Sequence, residues 1–191
     1  MTAYNEKLYE FITEEENFLP FIELKEQYEI VRKKLLTDFW KEVEVELKKY
    51  KKSKWEVWLD DDVMKEYSKL GFYHKDYYRE KDESRSFGII FEHLTDSVLY
   101  GLWFNRTANL QNLNFNSVCN DIKHLHVTWK AGTSAWWFAA RNETGDNFDN
   151  SSDLVKILPK NREAVVKEYA SLLISALEEL FNTGMKYAKK L

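Results

Sequence analysis

The sequence predicts an α+β fold in a single domain, residues 1–191, with a mainly antiparallel sheet of about four to six strands packed with long amphipathic helices at the N-terminal and C-terminal ends. Apolar residues recur at helical spacing near both ends of the chain, and short strand-like runs lie between them without βαβ alternation. Hydrophobic residues make up 44% of the chain and charged residues 31%, with six Gly and two Pro. This balance is typical of a packed globular chain.

The first predicted element is a long helix within residues 1–52, a charged stretch that contains no glycine. Its apolar side chains recur at steps of three and four residues, at Phe21, Leu24, Tyr28, Val31, Leu35, Phe39, Val43 and Leu47. Such steps place side chains on one face of a helix, which we expect to be buried. Pro20 is expected in the first turn, where proline is favoured, after a shorter helix around residues 6–12.

Strand candidates follow the first helix. Residues 55–59, Trp-Glu-Val-Trp-Leu, predict a first strand that ends at three aspartates, and a charged, tyrosine-rich connection is expected from there to Arg85. Further strands are predicted at residues 87–94, 98–105, 122–129 and 134–140. Thr95, Asp96 and Ser97 separate the first two of these, which therefore predict a β-hairpin.

The last predicted element is a second long helix, which begins near Pro159. Residues 145–153, rich in Gly, Asp, Asn and Ser, predict the turn that precedes it. Its apolar face carries Val165, Val166, Tyr169, Leu172, Leu173, Ala176, Leu177, Leu180, Phe181 and Tyr187. We expect this face to be buried as well.

Composition narrows the function classes. The net charge of −4 and the pI near 5.7 give no overall attraction to phosphate backbones or anionic lipid, so nucleic-acid binding is not favoured and would need a local patch. The single cysteine, Cys119, excludes an internal disulfide and, without an apolar signal segment, favours the cytoplasm. No apolar run approaches the roughly 18 residues of a membrane span.

Several groups of residues have side chains that could bind a metal ion or a phosphate, but none has a spacing that is diagnostic of such a site. His124 and His126 would share a strand face and could hold a metal with further ligands, although ordinary packed or surface histidines explain them better. Residues 60–62 are three aspartates that suit either a cation or a solvated turn before a helix. The lysines of residues 48–54 suit either phosphate contacts or the C-terminus of the long helix. We therefore predict no catalytic residue, no metal site and no cofactor.

Several sequence features occur in the same order as in a protein region that is known from other chains. The features are Phe39-Trp40, the strands at residues 87–104, Trp129-Lys130 with Trp136-Trp137, Asn147-Phe148 and the helix at residues 165–180. From residue 29 onward the chain resembles the C-terminal accessory region that follows the catalytic domain in bacterial and phage proteins of the PD-(D/E)XK nuclease superfamily. The resemblance implies an accessory part without the nuclease.

Two functions remain open from the sequence. The first is a non-enzymatic binding module, protein-binding, in a bacterial or phage defence-related setting, favoured by the excess of aromatic residues and by the resemblance. Its predicted partner-binding residues are Trp129, Lys130, Trp136, Trp137 and Arg141, since tryptophan and arginine are enriched in interface hot spots. The alternative is a metal-dependent nuclease of PD-(D/E)XK type that uses Asp96, Asp121 and Lys123.

Overall fold

The computed structural model describes residues 3–75, 78–79, 84–85, 87–104 and 142–182. The chain divides into two compact units, Met1–Leu35 and Leu36–Leu191. The sequence-based expectation of one domain over residues 1–191 stays a prediction.

The N-terminal unit is helical. Helix α1, Ala3–Thr13, is followed by helix α2, Glu15–Lys49, which continues into the second unit. Between them, the Thr13 hydroxyl donates to the Tyr9 carbonyl at 2.8 Å and the Asn17 amide donates to the Phe11 carbonyl at 3.0 Å. These local bonds stabilise the ends of both helices.

Pro20 lies inside helix α2. The expectation that it occupies the first turn was therefore wrong, because the helix begins five residues earlier, at Glu15. Proline has no N–H, so residue 20 donates no hydrogen bond toward Glu16, and the proline ring also crowds the Glu16 carbonyl. The acidic residues Glu15 and Glu16 in the first turn favour the earlier start through the helix dipole.

The second unit contains a five-stranded antiparallel sheet in the order β1-β2-β5-β6-β7. Its strands are β1 Trp55–Leu59, β2 Lys69–His74, β5 Phe87–Glu92, β6 Ser97–Phe104 and β7 Asn142–Asn147. Two short strands, β3 Tyr78–Arg79 and β4 Ser84–Arg85, pair separately. The predicted antiparallel α+β class is confirmed, as are strand β1 and the hairpin of β5 and β6. The strands predicted at residues 122–129 and 134–140 lie outside the described residues.

Two strands contradict the sequence-based expectation. Strand β2 lies where a connection was expected, and its Leu70 to His74 segment is buried throughout, so it lacks the alternation that marks a half-buried strand. Strand β7 carries the sequence Asn-Glu-Thr-Gly-Asp-Asn, and its last three residues fall within the turn expected at residues 145–153. Strand β7 is an edge strand of the described sheet, held by backbone pairing to β6. Such pairing requires no apolar side chains.

Two glycines allow β2 and β5 to pair closely on one face of the sheet. Gly71 lies opposite Ile90, and Gly88 lies opposite Tyr73. A Cβ atom at Gly88 would lie 2.8 Å from the Phe72 carbonyl oxygen, and one at Gly71 would meet the backbone of residues 89 and 90. This face holds a buried cluster of Tyr73, Ile90, Leu99 and Trp103.

The opposite face of the sheet packs against helix α2 and the C-terminal helix α4, Arg162–Asn182. Trp40 of α2 is fully buried, and its ring centroid lies 5.5 Å from that of Phe91 on β5 and 5.5 Å from that of Tyr169 on α4. The Trp40 indole N–H donates to the Leu94 carbonyl at 2.8 Å. A short helix α3, Ser151–Leu154, and a 3-10 turn, Val155–Ile157, connect β7 to α4. The predicted packing of both long helices on the sheet is thus confirmed for the second unit.

Candidate interaction surface

The residues predicted to bind a partner, Trp129, Lys130, Trp136, Trp137 and Arg141, lie outside the described residues, and so do Asp121 and Lys123 of the alternative nuclease signature. Their placement and their exposure therefore stay predictions. The described residues contain other candidates, which fall into three groups.

The first group is acidic and lies at the turns of the sheet. Asp96 lies in the turn between β5 and β6, with its Oδ1 3.6 Å from Nδ1 of His93. Asp60 accepts a 2.9 Å bond from the Lys69 backbone N–H, and Asp62 accepts a 3.1 Å bond from that of Met64. Residues 60–62 thus belong to the turn region that follows β1, as one interpretation proposed. The next element, however, is strand β2 and not a helix. No group of three or more His, Cys, Asp or Glu within metal-binding reach occurs among the described residues.

The second group is basic and lies in and after the last turn of helix α2. Lys48, Lys51, Lys52 and Lys75 line a shallow cleft of about 310 Å³ beside Tyr50 and Trp55. Lys48 pairs with Glu44 at 2.7 Å, and Lys52 pairs with Glu178 at 3.4 Å. Lys48 and Lys49 form the last turn of the helix, where positive charge complements the helix dipole. These contacts favour the structural role of the lysine run over phosphate binding.

The third group is apolar and lies in the N-terminal unit. The described residues of this unit expose eleven large hydrophobic side chains, which we call the N-terminal apolar surface: Tyr4, Leu8, Tyr9, Phe11, Phe18, Leu19, Phe21, Leu24, Tyr28, Ile30 and Val31. Scattered exposed hydrophobic residues are normal, but a dense series on neighbouring helical turns marks an interaction surface.

Part of this surface has the spacing of a coiled-coil seam. Phe21, Leu24, Tyr28, Val31 and Leu35 follow one another at steps of three, four, three and four residues. This heptad pattern lines up the a and d positions that pack between two helices. The first four side chains, which we call the seam, are 40%, 71%, 46% and 61% exposed.

The expectation that the whole stripe of helix α2 is buried was therefore wrong for residues 21–31 and is confirmed for Phe39, Val43 and Leu47. Periodicity shows which side chains share a face, but not what covers the face. Leu19 and Ile30 lie off the stripe in the exposed part, but Leu36 and Trp40 lie off it in the buried part, so the pattern of apolar residues does not distinguish the two parts. Sequence reasoning used only the stripe and missed this surface.

Comparison of the chain with family models, with curated proteins and with solved structures finds no match. The helices in the described part of the chain do not combine the length and the apolar character that a membrane crossing requires. The candidate site therefore rests on the geometry and the chemistry of this chain.

Proposed function

We propose that this protein is a non-enzymatic interaction module that binds another protein, and that it acts in a bacterial or phage defence-related setting. The observation that carries the proposal is the N-terminal apolar surface, whose seam leaves Leu24 71% and Val31 61% exposed. Burying large apolar side chains against a partner is favourable by about 25 cal/mol for each Å² removed from water. The defence-related setting follows from the sequence resemblance described above.

The chemistry of the surface suits a protein partner. The surface combines six aromatic and five aliphatic side chains, and aromatic residues are enriched in the centres of protein interfaces. Residues 1–35 carry eight acidic and five basic side chains, so this unit has no overall attraction to anionic lipid or to nucleic acid.

A partner-capture experiment with matched variants tests the proposal. The tagged full-length protein would be incubated with a native-host lysate, and captured proteins would be identified and re-tested in purified form. Val31→Gln should weaken binding about tenfold or more, since a central apolar contact is lost. Val45→Gln is the matched control, because Val45 is 58% exposed on the same helix but lies outside the N-terminal apolar surface. Equal binding by wild type and Val31→Gln would contradict the assignment of the surface.

The predicted residues Trp129, Lys130, Trp136, Trp137 and Arg141 form a second proposed contact region. Alanine at Trp136 or Trp137, whichever indole is exposed, should weaken the same purified complex by about 2 kcal/mol while the melting temperature stays nearly constant. Unchanged affinity in both variants would remove this region from the proposed interface.

The alternative function, a metal-dependent nuclease, is tested directly. We expect the purified protein with Mg²⁺ or Mn²⁺ to leave DNA and RNA intact, since Asp96 lies in a hairpin turn and not within a strand. Cleavage that disappears in both Asp96→Ala and Asp121→Ala would establish the nuclease and overturn the non-enzymatic proposal.

A further inference from the structure

Strand β1 lies at one end of the strand order, and among the described strands it pairs only with β2. The Lys54 carbonyl accepts a hydrogen bond from the N–H of residue 75, and the Asp60 N–H donates to the carbonyl of residue 69, each at 2.9 Å. Bonding residues alternate along an antiparallel strand, so the even-numbered residues of this stretch face β2. Val57 and Leu59 therefore direct their N–H and C=O groups away from β2, where a further strand can bind them.

The two ends of the strand order differ in how well they suit such an addition. Strand β7 consists of polar residues and Gly145, and its pairing with β6 has an irregular register. Strand β1 reads Trp-Glu-Val-Trp-Leu and pairs with β2 in regular register over its whole length. Irregular register, proline and charged side chains keep edge strands from pairing with other chains. Of these features β1 has only the Glu56 carboxylate, so it is the end of the described sheet that suits strand addition.

Opposite charges flank strand β1. Lys51 precedes the strand and Asp61 follows it; both are exposed, and neither forms an ion pair with another described residue. In an antiparallel pair of two such strands, the beginning of one lies beside the end of the other, so Lys51 of each copy approaches Asp61 of the other. In a parallel pair, like charges would meet at both ends, which is unfavourable.

We propose that β1 is a dimerisation strand, which pairs antiparallel with β1 of a second copy of the chain about a two-fold axis at Val57. In this register the N–H and C=O of Val57 bond those of Val57 in the second copy, and the Leu59 N–H donates to the Trp55 carbonyl. All of these groups point away from β2, so the two sheets join without loss of the existing pairing. The inference does not depend on the N-terminal apolar surface and adds a second interaction surface to the protein.

The segment is complementary to itself. Residues 51–54 read Lys-Lys-Ser-Lys and residues 60–62 are three aspartates, so the segment runs from basic through apolar to acidic. A strand that complements it in an antiparallel pair must run in the same order from its own N-terminal side. Trp55 would lie opposite Leu59 of the second copy, an aromatic–aliphatic cross-strand pair. These features select a second copy, since two-fold symmetry uses each contact twice.

Sedimentation equilibrium of the full-length protein over a concentration series is the first test. A five-residue strand buries a small area, so we expect a monomer–dimer equilibrium that depends on concentration. Val57→Pro removes the central outward N–H but none of the bonds to β2, and should raise the dissociation constant of the dimer about tenfold or more. Val57→Thr is the matched control, because it retains the N–H and the branched side chain. Circular dichroism checks that both variants are folded.

Exchange of the flanking charges is the second test, and it does not depend on a substitution within the strand. Lys51→Glu and Asp61→Lys should each weaken the dimer severalfold, because each places like charges together at both ends of the pair. The double variant K51E/D61K should restore association, since opposite charges face each other again. Lys160→Glu, at an exposed position before helix α4, controls for the change in net charge.

Each remaining outcome overturns the inference. A protein that stays monomeric at every concentration has no dimerisation strand. A dimer that Val57→Pro and the single charge variants leave unchanged uses another surface, and a double variant no stronger than the single variants excludes the antiparallel arrangement. A dimer that Val31→Gln abolishes and Val57→Pro retains uses the N-terminal apolar surface instead. The proposed function is judged separately, by whether capture of a protein partner depends on Val31, so the two failures are distinguishable.

Discussion

Helix α2 contains two segments that both carry apolar side chains. Those of the first segment are exposed to solvent, and those of the second are buried. In residues 15–35 the seam side chains are 40% to 71% exposed, whereas Leu36, Phe39, Trp40, Val43 and Leu47 are fully buried. The second segment packs on the sheet and on helix α4, where the Phe39 ring lies 5.4 Å from that of Tyr169. Amphipathic spacing therefore defines a face, and the neighbours of that face determine whether it becomes core or interface.

The two segments of helix α2 should differ in whether their side chains contribute to folding or to binding. Substitutions in the buried segment remove packed contacts from the folded state and should lower the free energy of unfolding. Substitutions in the exposed segment remove side chains that the folded chain leaves in water and should change partner binding instead.

The largest decrease in the free energy of unfolding is expected for Trp40→Ala. The indole is fully buried, and its N–H donates to the Leu94 carbonyl, so the variant creates a cavity and leaves that carbonyl without this donor. Urea unfolding should show a decrease of about 3–5 kcal/mol. Trp58→Ala, on strand β1, is the control because Trp58 is 38% exposed. Similar losses in the two variants would contradict the central position of Trp40 in the core.

Two identical substitutions compare the segments of helix α2 directly. Leu47→Ala should cost about 2–5 kcal/mol, because Leu47 is fully buried. Leu24→Ala should stay within about 0.5 kcal/mol of wild type, because Leu24 is 71% exposed. Thermal unfolding of both variants at several protein concentrations is the measurement. A large loss in Leu24→Ala that grows with protein concentration would show that the seam is already covered by a second copy.

A smaller effect is expected where helix α4 supports the buried segment. The Tyr169 hydroxyl donates to Oδ2 of Asp146 at 2.6 Å, and burial together with this bond raises the pKa of the phenol. Tyr169→Phe should lower the free energy of unfolding by about 1.5–3 kcal/mol, since the bond to the carboxylate is lost while the ring remains. An unchanged midpoint in urea would show that water replaces the hydroxyl without cost.

The smallest effect depends on pH. A hydrogen bond from Lys156, with one from the Asn147 backbone N–H, lowers the pKa of the Asp153 carboxyl. Because the pKa is lower in the folded state, ionisation of this carboxyl stabilises the fold. The stabilisation is complete above the ordinary aspartate pKa of about 4 and is lost as pH falls through the lower folded-state pKa. Because the Lys156 side chain is 48% exposed, Asp153→Asn should cost less than about 1 kcal/mol at pH 7.

The pH series itself is the test of that prediction. Wild type and Asp153→Asn should differ in unfolding free energy at pH 7, and the difference should shrink as pH falls through the lowered folded-state pKa of Asp153. Asp61→Asn, at an exposed position in the turn after β1, controls for the loss of one carboxylate. A difference that persists unchanged at the lowest pH would contradict the assigned ion pair.

The sequence predicted the elements whose side chains carry a clear period. Trp55 to Leu59 and the hairpin around Asp96 were predicted because apolar runs there are bounded by turn residues. Strand β2 was missed because Leu70 to His74 are buried on both faces and the segment follows a charged connection. Strand β7 was missed because Gly145 and its polar neighbours are held by backbone pairing, which side-chain patterns do not report.

The candidate site was predictable only in part. The seam from Phe21 to Val31 was recognised as a helical stripe, but its exposure depends on tertiary neighbours that no local pattern specifies.

The strand order has a consequence for how the chain folds. Strands β5 and β6 pair across a turn of a few residues, whereas residues 105–141 separate β7 from β6 in the sequence. Pairing strands at this sequence separation costs more entropy than closing a hairpin, so β7 should join the sheet late. Phe148, which directly follows β7 and contacts the rings of Phe39 and Trp40, would then arrive late as well. The aromatic core around Trp40 would remain open on that side until this last strand docks.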